Sequence, residues 1–130
     1  MQKIKIQFEP PSFKDQIIKE IRYSEIILDS KGLTFAQAFE CDELDTKTGT
    51  WHYDVFKFYD HFFLRSAITG VVKANMPIDD GEPEYWQINV WLSGVSATIN
   101  FKSIEEMDKA FKLIKQWLRY WDGSSEQTKG

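Results

Sequence analysis

Apolar and polar side chains alternate from the start of the chain. Ile4, Ile6 and Phe8 share one parity and Lys3, Lys5, Gln7 and Glu9 the other, so residues 3–9 read as a strand with one buried face. Pro10 and Pro11 end it. Ser12 with Asp15 three residues later resembles a helix N-cap, and Phe13, Ile17, Ile18 and Ile21 follow at helical spacing, which predicts a short helix over 12–22. Two β-prone runs, 24–28 and 33–40, flank Asp29-Ser30-Lys31-Gly32 and predict a hairpin in which Gly32 supplies a positive φ. Strand character returns at 51–59 and, after a break at Asp60 and His61, at 63–73. Residues 75–84, with two prolines, a glycine and four carboxylates, read as a loop.

The last third carries the clearest pattern. Trp86, Ile88, Val90 and Leu92 share one face, and beyond a Ser93-Gly94 turn so do Val95, Ala97, Ile99 and Phe101, which makes a hairpin with its apolar sides together. Ser103 and Glu106 then form a capping box, and Ile104, Met107, Ala110, Phe111, Ile114, Trp117, Leu118 and Trp121 mark one stripe at a period near 3.6. Early acids and later bases along this helix complement its dipole, and Gly123 ends it. The predicted class is α+β: one antiparallel, strongly bent sheet or partly open barrel of about seven strands, a short helix near the N-terminus and a long amphipathic C-terminal helix packed on the sheet.

Composition narrows the function. A chain of 130 residues with 42% hydrophobic and 28% charged side chains fits one globular domain, taken as 1–122, followed by a polar tail at 123–130 expected to be disordered. No apolar run approaches the roughly 20 residues of a spanning helix, and the first residues lack a signal-peptide pattern, so membrane association is not expected and a cytoplasmic location is. A net charge of −4 argues against nucleic acid as a partner. Cys41 is the single cysteine and His52 and His61 the only histidines, which leaves neither a disulfide nor a structural zinc set; no metal or other cofactor is expected.

Few residues hint at catalysis. The run "DTKTGT" from Asp45 is similar to the phosphorylation site of P-type ATPases, but Thr46 intervenes between the aspartate and the lysine, and no nucleotide domain or membrane segment accompanies it. A polar turn is the better reading. Cys41, His52 and His61 show no triad spacing, and the acidic groups at 42–45 and 79–84 lack the EF-hand pattern, so no catalytic or metal-binding residue is assigned.

The aromatic content is the unusual feature: ten Phe, five Tyr and five Trp. If Trp86, Ile88, Val90 and Leu92 face the core, then Tyr85, Gln87, Asn89 and Trp91 face away from it. Trp51, Tyr53 and Tyr59 likewise share a parity opposite to Phe56 and Phe58, so either one face is open or the sheet curves until both are covered. Trp91, Tyr85, Trp51 and Tyr53 are the candidate binding residues, because such rings supply contact area in interfaces.

About seven strands followed directly by a helix, with the hairpin "INVWLSGVSATINF", the helix "SIEEMDKAFKLIKQWL" and Trp117 within it, resemble the pleckstrin-homology-like fold. The chain departs from it in the predicted helix at 12–22 and in having no basic cluster in an early hairpin loop. That resemblance implies a non-catalytic recognition domain that binds a protein, a peptide or its own copy rather than a lipid headgroup. The alternative is a small-molecule binding or sequestering protein, or a small enzyme, with the curved sheet as its pocket wall.

Overall fold

A computed structural model describes residues 3–76 and 85–120. Seven strands and one helix follow in the order β1 (Ile4–Gln7), β2 (Gln16–Leu28), β3 (Gly32–Asp45), β4 (Thr50–Leu64), β5 (Gly70–Met76), β6 (Tyr85–Leu92), β7 (Val95–Phe101) and α1 (Ile104–Tyr120). A single turn of 3-10 helix, Arg65–Ala67, separates β4 from β5. The acidic loop at 79–84 and the polar tail at 123–130 lie outside the described residues.

Two expectations about the fold are overturned. The strands form two antiparallel sheets, β1-β2-β3-β4 and β5-β6-β7, in place of one bent sheet or partly open barrel. Among the described residues one backbone bond links the two, from Lys102 N to Glu9 O at 3.2 Å. Pro10 and Pro11 follow Glu9, and without N–H groups they cannot extend that bond into a ladder.

The second correction is the helix expected over 12–22, which is strand β2 instead. Two register shifts explain the misleading periodicity: they fall between Ile18 and Glu20 and between Ile21 and Tyr23 in the β2–β3 ladder. Each bulge adds one residue to β2, so Ile18, Ile21, Ser24, Ile26 and Leu28 all pair with one face of β3 at steps of three, three, two and two. A step of three imitates helical spacing.

One core joins both sheets and the helix. Ile6, Phe8, Ile26, Leu28, Leu33 and Phe35 come from the first sheet, Ile88, Val90, Ile99 and Phe101 from the second, and Met107, Ala110, Ile114 and Trp117 from α1. The helix opens as its sequence predicts, with Glu106 N donating to Ser103 Oγ at 3.1 Å. Gly32 has no positive φ; it is small because a Cβ there would lie 2.2 Å from the backbone oxygen of Phe63. The 93–94 turn does use positive φ, at Gly94.

Candidate functional site

The strands β2, β3 and β4 are 13, 14 and 15 residues long, about 45–50 Å when extended. Only one end of this ribbon takes part in the core, so the remainder offers two long faces. β3 fixes the parity: Leu33, Phe35, Gln37, Phe39 and Cys41 are buried on the inner face, while Thr34, Ala36, Ala38, Glu40 and Asp42 point to the outer one.

On the outer face the middle strand is small and its neighbours are large. Ala38 is buried between Tyr23 of β2 and Phe58 of β4, Ala36 lies between Glu25 and Asp60, and Thr34 between Ile27 and Phe62. With strands about 4.8 Å apart, the flanking rows stand about 9.6 Å from one another, close to the width of one α-helix. Tyr23, Phe56, Phe58 and Phe62 are all exposed large rings there, Phe58 by 65%. Phe56 and Phe58 stack at 6.1 Å, and the Arg22 guanidinium sits 5.4 Å above the Phe56 ring.

The charges of this face are unbalanced. By register and by their ion pairs, the outer surface of β1–β4 carries Lys5, Lys19 and Arg22 against Glu20, Glu25, Glu40, Asp42, Asp54 and Asp60. Lys5 pairs with Glu25 at 3.4 Å, Arg22 with Glu40 at 3.3 Å, and Lys19 bridges Asp54 at 2.7 Å and Asp42 at 3.6 Å. Among the described residues, Glu20 and Asp60 remain outside these pairs.

The inner face of the ribbon is aromatic as well, but there it borders a cleft. Tyr59, His61 and Phe63 form a stacked ladder along β4 with centroid spacings of 6.4 and 6.2 Å, and Phe35 and Phe39 lie beside it on β3. Opposite them are Pro10, Pro11 and Phe13 from the segment leaving β1, and Thr98 and Asn100 from β7. The cleft volume is about 270 Å³.

The residues singled out in the sequence are spread over the molecule. Trp51 and Tyr53 are on β4, Tyr85 and Trp91 on β6 of the other sheet. Tyr53 is 68% exposed beside the β4 bulge and Trp91 45% exposed, whereas Trp51 and Tyr85 are half-buried, Tyr85 edge-on to Phe13 at 5.0 Å. Cys41 is buried opposite Val55, His52 faces Glu43 and His61 faces Phe35, so the strand register keeps the three apart. Burial, then the neighbouring Glu43 and Asp42 carboxylates, push the Cys41 thiol above its ordinary pKa, the opposite of an activated nucleophile.

The acids at 42–45 are already engaged. Asp42 accepts from Asp54 N at 3.0 Å, Glu43 pairs with Lys57 at 2.6 Å, and Asp45 accepts from Lys47 N at 3.0 Å within the β3–β4 turn. "DTKTGT" is therefore that turn, closed by Gly49 N donating to Asp45 O at 2.8 Å with Gly49 at φ 72°. Among the described residues no cluster of three His, Cys, Asp or Glu side chains is placed to hold a metal ion, and no helix is long and apolar enough to cross a membrane.

Tyr23, Phe58 and Phe62 are not distinguished by sequence pattern alone. The opposite parity of Phe56 and Phe58 was legible, but which face stays open depends on what the rest of the chain covers. No known protein family, curated protein or solved structure matches this chain.

Proposed function

We propose that this protein is a non-catalytic recognition domain that docks an amphipathic, basic helical segment of another protein along the outer face of the β2–β3–β4 ribbon. The observation that carries this reading is the exposed rings Tyr23 on β2 and Phe58 and Phe62 on β4, which flank the small residues of β3. Exposed aromatic rings of this kind mark interaction sites, and they dominate interface energetics. Six carboxylates against three cations favour a basic partner and disfavour a second copy, which would bring like charge to like. Asp60, beside Ala36 and outside the ion pairs of this face, suits a lysine or arginine on the docked segment. The architecture of two antiparallel sheets and a C-terminal helix is compatible with the pleckstrin-homology-like resemblance, which supports recognition over catalysis by analogy alone. A cytoplasmic setting belongs to the same reading.

The test uses two designed amphipathic helical peptides of one pattern, one of Leu and Lys and the other of Leu and Glu, titrated by fluorescence anisotropy. The Leu/Lys peptide is expected to bind at least about tenfold tighter, and the Phe58→Ser/Phe62→Ser variant to lose that binding with its melting temperature unchanged. Equal affinities, or binding that survives the double substitution, would overturn the proposal. So would a wild-type dimer that the double substitution dissociates, since the face would then belong to a second copy.

A further inference from the structure

We infer that the cleft on the inner face of the ribbon is a second, separate site, built for a neutral planar heterocycle that presents a hydrogen-bond donor and an acceptor on one edge. The walls argue for a ring: Phe35, Phe39, Tyr59 and His61 offer faces or edges along one side. A volume of about 270 Å³ lies just below the range of drug-sized ligand pockets and suits a one- or two-ring molecule. No Asp, Glu, Lys or Arg is among the described residues that line it. A charged ligand would therefore lose its hydration without gaining a counter-charge.

Two amides set the polarity of the recognised edge. Gln37, only 6% exposed, donates through Nε2 to Ser24 Oγ at 2.9 Å, which leaves Oε1 as the acceptor available to a ligand. Asn100 on β7 is oriented in the opposite sense: its Oδ1 accepts from Gln87 Nε2 at 3.1 Å, which leaves its amide nitrogen as a donor. One acceptor on the first sheet and one donor on the second are complementary to a lactam or an amino-azine edge. Both amides are held by residues outside the cleft, so they are positioned before any ligand arrives.

The experiment is a chemical-shift titration of the isotopically labelled protein with adenine and 2-pyridone, beside benzoate and benzamidine as charged rings of similar size. Saturable shifts at the side-chain signals of Gln37, His61 and Asn100 are expected, with dissociation constants of about 1 mM or tighter for the neutral heterocycles. The charged rings should bind at least about tenfold more weakly. His61→Ala alters an exposed wall ring and should weaken binding without unfolding the domain, and Gln37→Met should abolish the preference for rings with a donor–acceptor edge. Shifts that are the same for charged and neutral rings, an affinity that His61→Ala leaves unchanged, or shifts that stay absent up to about 10 mM heterocycle would overturn the inference. Because Phe58→Ser/Phe62→Ser changes only the outer face, retained heterocycle binding in that variant separates this site from the proposed docking surface.

Discussion

The indole Nε1 of Trp117 donates a 2.8 Å hydrogen bond to the backbone carbonyl of Asp29. It ties the C-terminal helix directly to the β2–β3 turn of the first sheet. The turn is in turn ordered by its own aspartate, whose Oδ1 accepts from Lys31 N at 2.9 Å and Gly32 N at 3.1 Å. Arg65 reinforces the same corner by donating through Nη2 to Leu118 O at 2.5 Å, with its guanidinium 5.8 Å from the Trp117 ring.

Trp117→Phe should therefore cost more than the lost ring volume, because Asp29 O would be left beneath the helix without its donor. A loss of about 1–3 kcal/mol is expected for Phe and about 3–5 kcal/mol for Ala. Urea denaturation followed by far-ultraviolet circular dichroism measures both, and equal stability of wild type and Trp117→Phe would remove the tie from the account.

Gly32 tests close backbone approach. A Cβ at 2.2 Å from Phe63 O and 2.8 Å from the Phe62 ring forces β3 and β4 apart, so Gly32→Ala should destabilise by about 1–3 kcal/mol. The result that would sink this explanation is a stabilised variant, which is what relief of glycine's chain entropy alone would give.

Asp54 tests the bulge in β4. It sits at φ 56° opposite the shift between Cys41 and Glu43, a conformation that aspartate and glycine accept and β-branched residues do not. Asp54→Val should lose about 1–2 kcal/mol of stability through its backbone alone, whereas Asp54→Gly should fold into the same register. Amide chemical shifts around Cys41 and Val55 report that register directly.

The alkaline limb of stability follows from three raised pKa values. The Cys41 thiol is raised chiefly by burial, Lys57 by its hydrogen bond to Glu43, and Lys19 by its hydrogen bond to Asp54. All three favour the protonated form in the folded state, so their contribution is complete below the ordinary pKa of each group and is lost as pH rises through the raised folded values. The melting temperature should hold from neutral pH to about 8.5 and then fall, first as the Cys41 thiol and later as the two lysines ionise more readily in the unfolded chain. Iodoacetamide should label Cys41 rapidly only in denaturant; fast labelling of the folded protein at neutral pH would contradict both the burial and the raised thiol.

Local pattern alone determined a good part of this protein. The β6–β7 hairpin, its Ser93-Gly94 turn and the capped helix from Ile104 are set by side-chain alternation, a glycine at positive φ and a serine cap, all of which act within a few residues. The polar turn after Asp45 was legible for the same reason: an aspartate and a glycine close it without outside help. The tertiary structure decided the rest. Ile17, Ile18 and Ile21 look helical by spacing, and only pairing with β3 shows two bulges converting a period of two into a period of three. Whether a face of alternating rings is core or surface depends on which other elements reach it. The helix and second sheet cover one end of the ribbon's inner face, Pro10, Pro11 and Phe13 wall the cleft beyond, and Phe56, Phe58 and Phe62 on the reverse stay exposed. Alternation fixes which residues share a face; long-range packing chooses the face that water keeps.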